Sequence, residues 1–411
     1  MEIKRLFDIL TNYEEKFPNQ GVALAGKKEG KWVKYSLKDY VRIANNLSYA
    51  FIKLGVQKGE KVAVILNNCP EWNMLDMAIM QAGAITVPIY PTITEHDYEV
   101  IINHADVKCL VMDGVNVIRS VNNIKPRIGN VEKFYTLQKC DGYESFEDLV
   151  KLGEDNPAPE VLKQRREQVD TSDVATIIYT SGTTGEPKGV VLTHSNIINQ
   201  VLNLEHIPAK WSNIAYSFLP LCHAYERMLV FLYQLLGMSV YYALNFGTIA
   251  DDLKEINPTM MSAVPRLLEK VYDKIIASGN KLTGIKKKIF FWAVELAKQY
   301  KIEDSERSAC YNLKLKLADK LVYSQIRQNV GGNFDIIVSG AASIQKHLVS
   351  FFSAIKMDVF EGYGLTETSP VIAVSCREKY GREAGTVGFP LGGVEVKVDP
   401  ETQELCCRGH N

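Results

Sequence analysis

The stretch DVATIIYTSGTTGEPKGVVLT, Asp173–Thr193, decides how this chain folds and what it holds. Its first eight residues are rich in β-branched and apolar side chains and read as a strand, and GVVLT reads as a strand returning. Between them stand the hydroxyls of Thr180, Ser181, Thr183 and Thr184, with Gly182, Gly185, Gly189 and Lys188. Glycine lets backbone N–H groups come close to an anion, and hydroxyls add further donors. A lysine supplies a mobile positive charge for a phosphate. The physical reading is a phosphate-binding loop. It is not a Walker A loop, because Pro187 stands where glycine should precede the lysine and Gly189 where a metal-binding hydroxyl should follow it. A tight surface turn is the bland alternative, and eleven residues of this composition disfavour it.

Outward from the loop, the chain alternates strands and helices. Upstream, Ser36 and Asp39 form a capping box, followed at helical spacing by Tyr40, Ile43, Leu47, Phe51 and Leu54, with Gly55 as the C-cap. Lys61–Leu66, the stretch ITVPIY and Cys109–Asp113 read as strands, Pro70 opens a helix, and Thr94 with Asp97 caps another. Residues 151–171 are charged, contain two prolines, and read as a surface connection rather than a core element. Downstream, Ser195 is expected to cap a helix. Strands are expected at Ala215–Leu219, Ser239–Ala243, Met260–Val264, Asp335–Ser339 and Asp358–Glu361. The apolar segment Met228–Leu244 is short and is interrupted by Gln234 and Gly237, so it reads as a buried helix and a buried strand, not a membrane span. VEVKVDPETQELCCRG reads as a hairpin turning at Asp399 and Pro400. The expected fold is α/β, with two αβ layered subdomains on mixed or parallel sheets and the start of a β-barrel-like subdomain. The expected organisation is a large N-terminal domain over residues 1–384 and the barrel-like start over 385–411.

Composition sets outer limits. The chain has 411 residues, 46% of them hydrophobic and 23% charged, and so can bury two or three sizeable cores. Its formal net charge of −1 gives no field for a nucleic-acid partner. Eight scattered cysteines without CxxC pairs suggest neither a zinc site nor a disulfide framework and suit a reducing, cytoplasmic setting. No G-x-S-x-G elbow supports a hydrolase triad.

Tyr179–Gly189, YTSGTTGEPKG, resembles the signature loop of the adenylate-forming superfamily, which includes acyl-CoA synthetases, firefly luciferase and the adenylation domains of peptide synthetases. Further segments follow in the family's order: LPLCHAYER (Leu219–Arg227), VSGAAS (Val338–Ser343), EGYGLTETSP (Glu361–Pro370) and GTVGFPLGGVEVKV. The likeness covers essentially the whole chain. PLCHAYERM, AVPRLLEKVYDKI and GIKKKIFFWAVELAKQY look most like long-chain fatty acid–CoA ligases. The resemblance implies a reaction in two steps. A fatty acid carboxylate attacks the α-phosphate of ATP, giving acyl-adenylate and pyrophosphate, and the thiol of CoA then displaces AMP. Such catalysis is mostly positioning and electrostatic stabilisation.

By the same resemblance, Thr180, Ser181, Gly182, Thr183, Thr184, Gly185 and Lys188 hold the β- and γ-phosphates. Tyr363 stacks on adenine among Gly340, Ala341, Ala342, Glu361, Gly362 and Gly364. Thr366 reaches the α-phosphate, and Glu367 ligates Mg2+ with Thr180. His223 belongs to the acyl pocket, the alternative being a capping or core histidine. Lys286, Lys287 and Lys288 sit on one helix with Phe290, Phe291 and Trp292. They read as a solvated face, with peripheral contact at a membrane or with CoA phosphates as the sharper alternative. The family pattern has glycine where this chain has Gln403. In the family, the rest of the barrel-like subdomain, an Asp for the ribose hydroxyls and a C-terminal lid with a catalytic Lys follow the point reached at Asn411. The reading is therefore an N-terminal core without its lid. Two alternatives stay open: a ligase that loads a carrier protein, and a fragment that binds nucleotide or fatty acid without turnover.

Overall fold

The computed structural model describes residues 2–181 and 185–411. Two sheets carry the chain. The first has seven strands in the order Glu144–Ser145, Lys133–Thr136, Val107–Met112, Lys61–Ile65, Ile85–Pro88, Val174–Ser181, Pro187–Thr193. All neighbours are parallel except the last pair, which is the hairpin read from the sequence. The second has nine, in the order Phe389–Pro390, Ala373–Val374, Val359–Tyr363, Ile336–Ser339, Met260–Ala263, Ile214–Ser217, Ser239–Tyr242, Leu24–Lys28, Lys31–Tyr35. Its strands from Val359–Tyr363 to Leu24–Lys28 run parallel, with antiparallel strands at both margins. Parallel strands covered on both faces are apolar along their whole length. Ile336–Ser339, Met260–Ala263 and Ser239–Tyr242 are accordingly buried at every position.

Two helices fill the space between the sheets. Pro70–Gln81 is buried at all 12 positions, and Ala224–Leu235 at all but Tyr225. Their Trp72, Leu75, Met77, Met228 and Phe231 join Val62 and Val64 of the first sheet to Leu24, Val240 and Ile336 of the second in one core. A second core lies between the nine-stranded sheet and helices that include Gly284–Lys298 and Lys346–Ala354. A third lies on the outer face of the first sheet, under Glu95–His104 and Val115–Ile124.

Locally encoded features appear where the sequence puts them. Ser36 Oγ accepts from the Asp39 N–H at 3.1 Å, and Thr94 Oγ1 from that of Asp97 at 3.1 Å, both as capping boxes. The expected strands are present with ends shifted by one or two residues. Met228–Leu244 divides into a buried helix and a buried strand, and no helix of the described residues is long and apolar enough to cross a membrane.

Two expectations are corrected. The cap after the hairpin is Thr193, not Ser195: Thr193 Oγ1 accepts from the Asn196 N–H at 3.1 Å, which leaves Ser195 inside the first turn of His194–Leu204. Residues 151–171 are largely helical, contributing the end of Phe146–Asp155 and all of Pro159–Gln168. The first begins at a capping box of Ser145 and Asp148 and packs on Leu37–Lys53, and Gly153 meets the Asn46 backbone. The second keeps only Leu162 buried, so its charges lie at the surface as their composition suggested. Near the end, Glu395–Val398 pairs with Leu405–Arg408. Asp399 Oδ1 closes the turn by accepting from the N–H groups of Glu401 and Thr402 at 2.9 Å each. Gln403 there has φ +59°, the left-handed region that favours glycine.

Candidate active site

The hairpin expected to hold phosphate sets its candidate side chains by register. Tyr179 faces Gly189, Thr180 faces Lys188 and Ser181 faces Pro187 across the antiparallel pair. Lys188, Ser181 and Gly185 are exposed, and Thr180 is half-buried. Gly182, Thr183 and Thr184 lie outside the described residues. At the root of the hairpin, Tyr179 Oη meets His104 Nδ1 at 2.7 Å, and burial pushes its phenol up to about 12. The strand Pro187–Thr193 lies against the single turn Thr366–Thr368 contributed by the other sheet.

The residues expected around adenine leave adjacent parallel strands side by side. Ser339 pairs with Glu361, so Gly340–Ala342 and Gly362–Gly364 emerge together at the carboxyl ends, where open α/β sheets place their ligands. Ala341 has φ +66°, a strained conformation for a residue with a Cβ. Glu361 is buried. Its carboxylate accepts from the Gly385 N–H at 3.4 Å, and burial raises its pKa. Tyr363 is 40% exposed, with its ring open to solvent. A Cβ on Gly364 would stand 1.8 Å from the Pro370 carbonyl oxygen, so only glycine fits. Thr368 Oγ1 accepts from the Leu365 N–H at 2.9 Å and fixes the turn that leaves Thr366 half-buried and Glu367 exposed.

His223 follows the strand Ile214–Ser217 in the same sheet. Asn68 of the first layer grips its loop, donating to Leu219 O at 2.7 Å and accepting from the Leu221 N–H at 3.0 Å. His223 occupies the N-cap of Ala224–Leu235 but makes no side-chain cap bond, which removes the capping alternative. Its ring tilts against Tyr90 with centroids 5.5 Å apart, and desolvation lowers its pKa, favouring the neutral imidazole.

The motif around His223 assigns no role to the three residues after Ala224, and the structure supplies their contacts. Tyr225 Oη donates to Val338 O at 2.9 Å, and its ring lies against Gly340, tying the His223 helix to the adenine-side loop. Glu226 is fully buried and accepts from Ser262 Oγ; desolvation pushes its carboxyl up to about 7. Arg227 Nε and Nη2 donate to Asp76 at 2.8 and 2.5 Å, a buried bidentate pair. Asp76 also accepts from Thr86 Oγ1 at 2.8 Å, and Thr86 O accepts from Thr176 Oγ1 at 2.7 Å, on the strand that enters the phosphate hairpin. A continuous polar chain thus connects the two layers.

The motif segments therefore meet at one edge, where the two layers come together. They place the strand that carries Lys188 beside the Thr366 turn, together with a partly exposed aromatic ring and an imidazole whose pKa desolvation lowers. Among the described residues no group of three or more His, Cys, Asp or Glu converges on a point. A cation here would rest on Glu367 with hydroxyls and the oxygens of its own ligand, an arrangement that suits Mg2+.

The AMP-binding enzyme family matches residues 11–411. Fatty acyl-CoA synthetase A of Dictyostelium discoideum is 31% identical over 418 residues, covering 94% of this chain and 60% of its own length. Long chain acyl-CoA synthetase 6, peroxisomal, of Arabidopsis thaliana is 33% identical over 406 residues, covering 92% of this chain and 56% of its own length. The chain thus spans between 53% and 65% of the curated relatives it matches here. Among solved structures, a long-chain-fatty-acid-CoA ligase (FadD1) from Archaeoglobus fulgidus superposes with TM-score 0.74 at 21% identity, over 100% of this chain and 76% of that one. The N-terminal domain of FACL13 from Mycobacterium tuberculosis superposes with TM-score 0.72 at 18% identity, over 99% of this chain and 89% of that one. At these identities the two structures establish the mixed α/β fold.

Proposed function

Since the chain belongs to the AMP-binding enzyme family, we propose that it forms the nucleotide- and acyl-binding core of a long-chain fatty acid–CoA ligase. One observation carries this reading: the phosphate hairpin of one layer rests against the Thr366–Thr368 turn of the other. Attack of a carboxylate on the α-phosphate needs the polyphosphate and the α-phosphate held from two sides. In this reading Thr180–Gly185 and Lys188 hold the β- and γ-phosphates and draw off the charge of departing pyrophosphate. Thr366 donates to the α-phosphate. Tyr363 stacks on adenine against Gly340–Ala342, Glu361, Gly362 and Gly364. His223 borders the acyl chain, and the desolvation that lowers its pKa disfavours a charge beside the carboxylate. Glu367 with Thr180 would hold Mg2+, which when bound would supply positive charge to the polyphosphate. The relatives named long-chain acyl-CoA synthetases support a long acyl substrate and CoA as the thiol acceptor.

The same reading assigns residues 1–384 to the large N-terminal domain and 385–411 to the start of a barrel-like subdomain, anchored by Phe389–Pro390 at the margin of the nine-stranded sheet. The eight cysteines are free, which suits a cytoplasmic setting.

Pyrophosphate release from ATP and Mg2+ with palmitate tests the proposal. The expected result is release that requires palmitate and falls about a hundredfold or more in Glu367→Ala. ATP binding that depends on Lys188 but gives no release would overturn turnover by this chain and leave a nucleotide-binding fragment.

A further inference from the structure

The helical segment Ala309–Tyr323 carries a row of leucines that the core does not use. Leu313, Leu317 and Leu321 recur every four residues and are 69%, 51% and 41% exposed. On a helix this spacing puts them on one face. Lys314 falls to one side of the row and Lys316 and Lys320 to the other, all exposed. Asp319, the segment's one acidic residue, is engaged by Arg327 and Lys356 at 2.5 and 2.8 Å and does not neutralise them. The opposite face is fixed: Tyr311 Oη donates to Leu296 O and Tyr323 Oη to Ala293 O, each at 2.7 Å, bolting the segment to Gly284–Lys298. That helix presents its own exposed stripe of Ile285, Lys288 and Trp292. Lys287, by contrast, turns back to Asn280 O at 3.3 Å, so the run Lys286–Lys288 is not a single free face.

We propose that the Leu313–Leu317–Leu321 face docks on an anionic membrane surface. The chain as a whole carries a net charge of −1, so this local excess of lysine is not part of a general basic field. Leucines flanked on both sides by lysines fit the boundary of a bilayer. The apolar row enters the headgroup region, and the ammonium groups reach lipid phosphates from stems laid along it. The surface is read from these helices alone; only its use, access to membrane-borne fatty acid, rests on the ligase reading.

Co-sedimentation of the 411-residue chain with vesicles tests it, without ATP. One set is phosphatidylcholine alone and the other contains about a third phosphatidylserine. Binding to the anionic vesicles is expected to exceed binding to the neutral ones at least about tenfold. Replacing Lys314, Lys316 and Lys320 by Gln should abolish the excess. Replacing the three leucines by Ser should do the same at an unchanged unfolding temperature. Equal binding to both vesicles, or binding that survives both triple variants, would overturn the proposal. So would a dimer of the parent chain in sedimentation velocity that the leucine variant loses, since the face would then belong to a second copy. Pyrophosphate release measured with a short soluble acid, without vesicles, reads the ligase proposal separately, so either can fail alone.

Discussion

The hairpin Val174–Thr193 hangs on the rim of its sheet, whereas Val359–Tyr363 runs between two partners and ends in a loop wedged against Pro370 and Val371. Both carry glycines, but for different reasons. Gly364 is required by space, with backbone atoms where a side chain would begin. Around Gly185 nothing among the described residues lies within 4 Å of the point a Cβ would occupy, and its φ of +91° is the reason for glycine. On the proposed reading, the adenine side is a socket whose shape packing fixes. On the same reading, the phosphate side is a hairpin at the sheet's rim whose chemistry lies in its donors and charge. A site that, on this reading, grips a base and then releases pyrophosphate can use both.

The largest expected effect breaks the connection between these regions. Asp76→Ala leaves Arg227 buried without its partner and should cost about 3 to 5 kcal/mol in denaturant unfolding; a loss below about 1 kcal/mol would mean the layers are held by apolar packing alone. Next, Gly364→Ala forces backbone apart in the socket and should cost at least about 3 kcal/mol, with loss of ATP binding read by calorimetry.

The buried Glu226 makes the join pH-sensitive. Its folded pKa of about 7 lies above the ordinary value of 4.5, so the folded state holds the proton more tightly. Its contribution to stability is full below about 4.5 and is lost as pH rises through about 7. Glu226→Gln should remove that slope, a difference of roughly 2 to 3 kcal/mol across the window. An unchanged slope in urea melts at pH 5 and pH 8 would show that another group titrates. His194, buried and lowered to about 4, acts with the opposite sign, since its contribution is lost as pH falls. The smallest effect sharpens the contrast of the two glycines: Gly185→Ala should cost only about 1 kcal/mol, through backbone strain and not through collision.

What was legible in the sequence follows from how far each feature reaches along the chain. The capping boxes at Ser36 and Thr94 and the hairpin around Lys188 involve residues within a few positions of each other, and their local structure can be read directly. The choice between Thr193 and Ser195 depended on where the returning strand stops, which is set by pairing with Val174. The helices at 146–168 were masked by a charged composition that resembles a loop, although Ser145 and Asp148 carried the starting signal. The Asp76–Arg227 pair spans 151 positions and could not be seen locally. The roles of Thr366, Glu367 and Tyr363 came from resemblance; the structure adds that they stand at one edge with the hairpin.

The strand Leu24–Lys28 lies in the second sheet, paired through Leu24 with Val240. All of the first sheet, Lys61 to Thr193, is threaded between those two partners. On a ribosome the first sheet is therefore complete while the hairpin Leu24–Tyr35 still lacks its neighbour, which emerges some two hundred residues later. The earliest-made β-structure must wait for a partner made long after it, so maturation of this chain includes a long-range docking event, the slow and aggregation-exposed kind of step that invites chaperone attention.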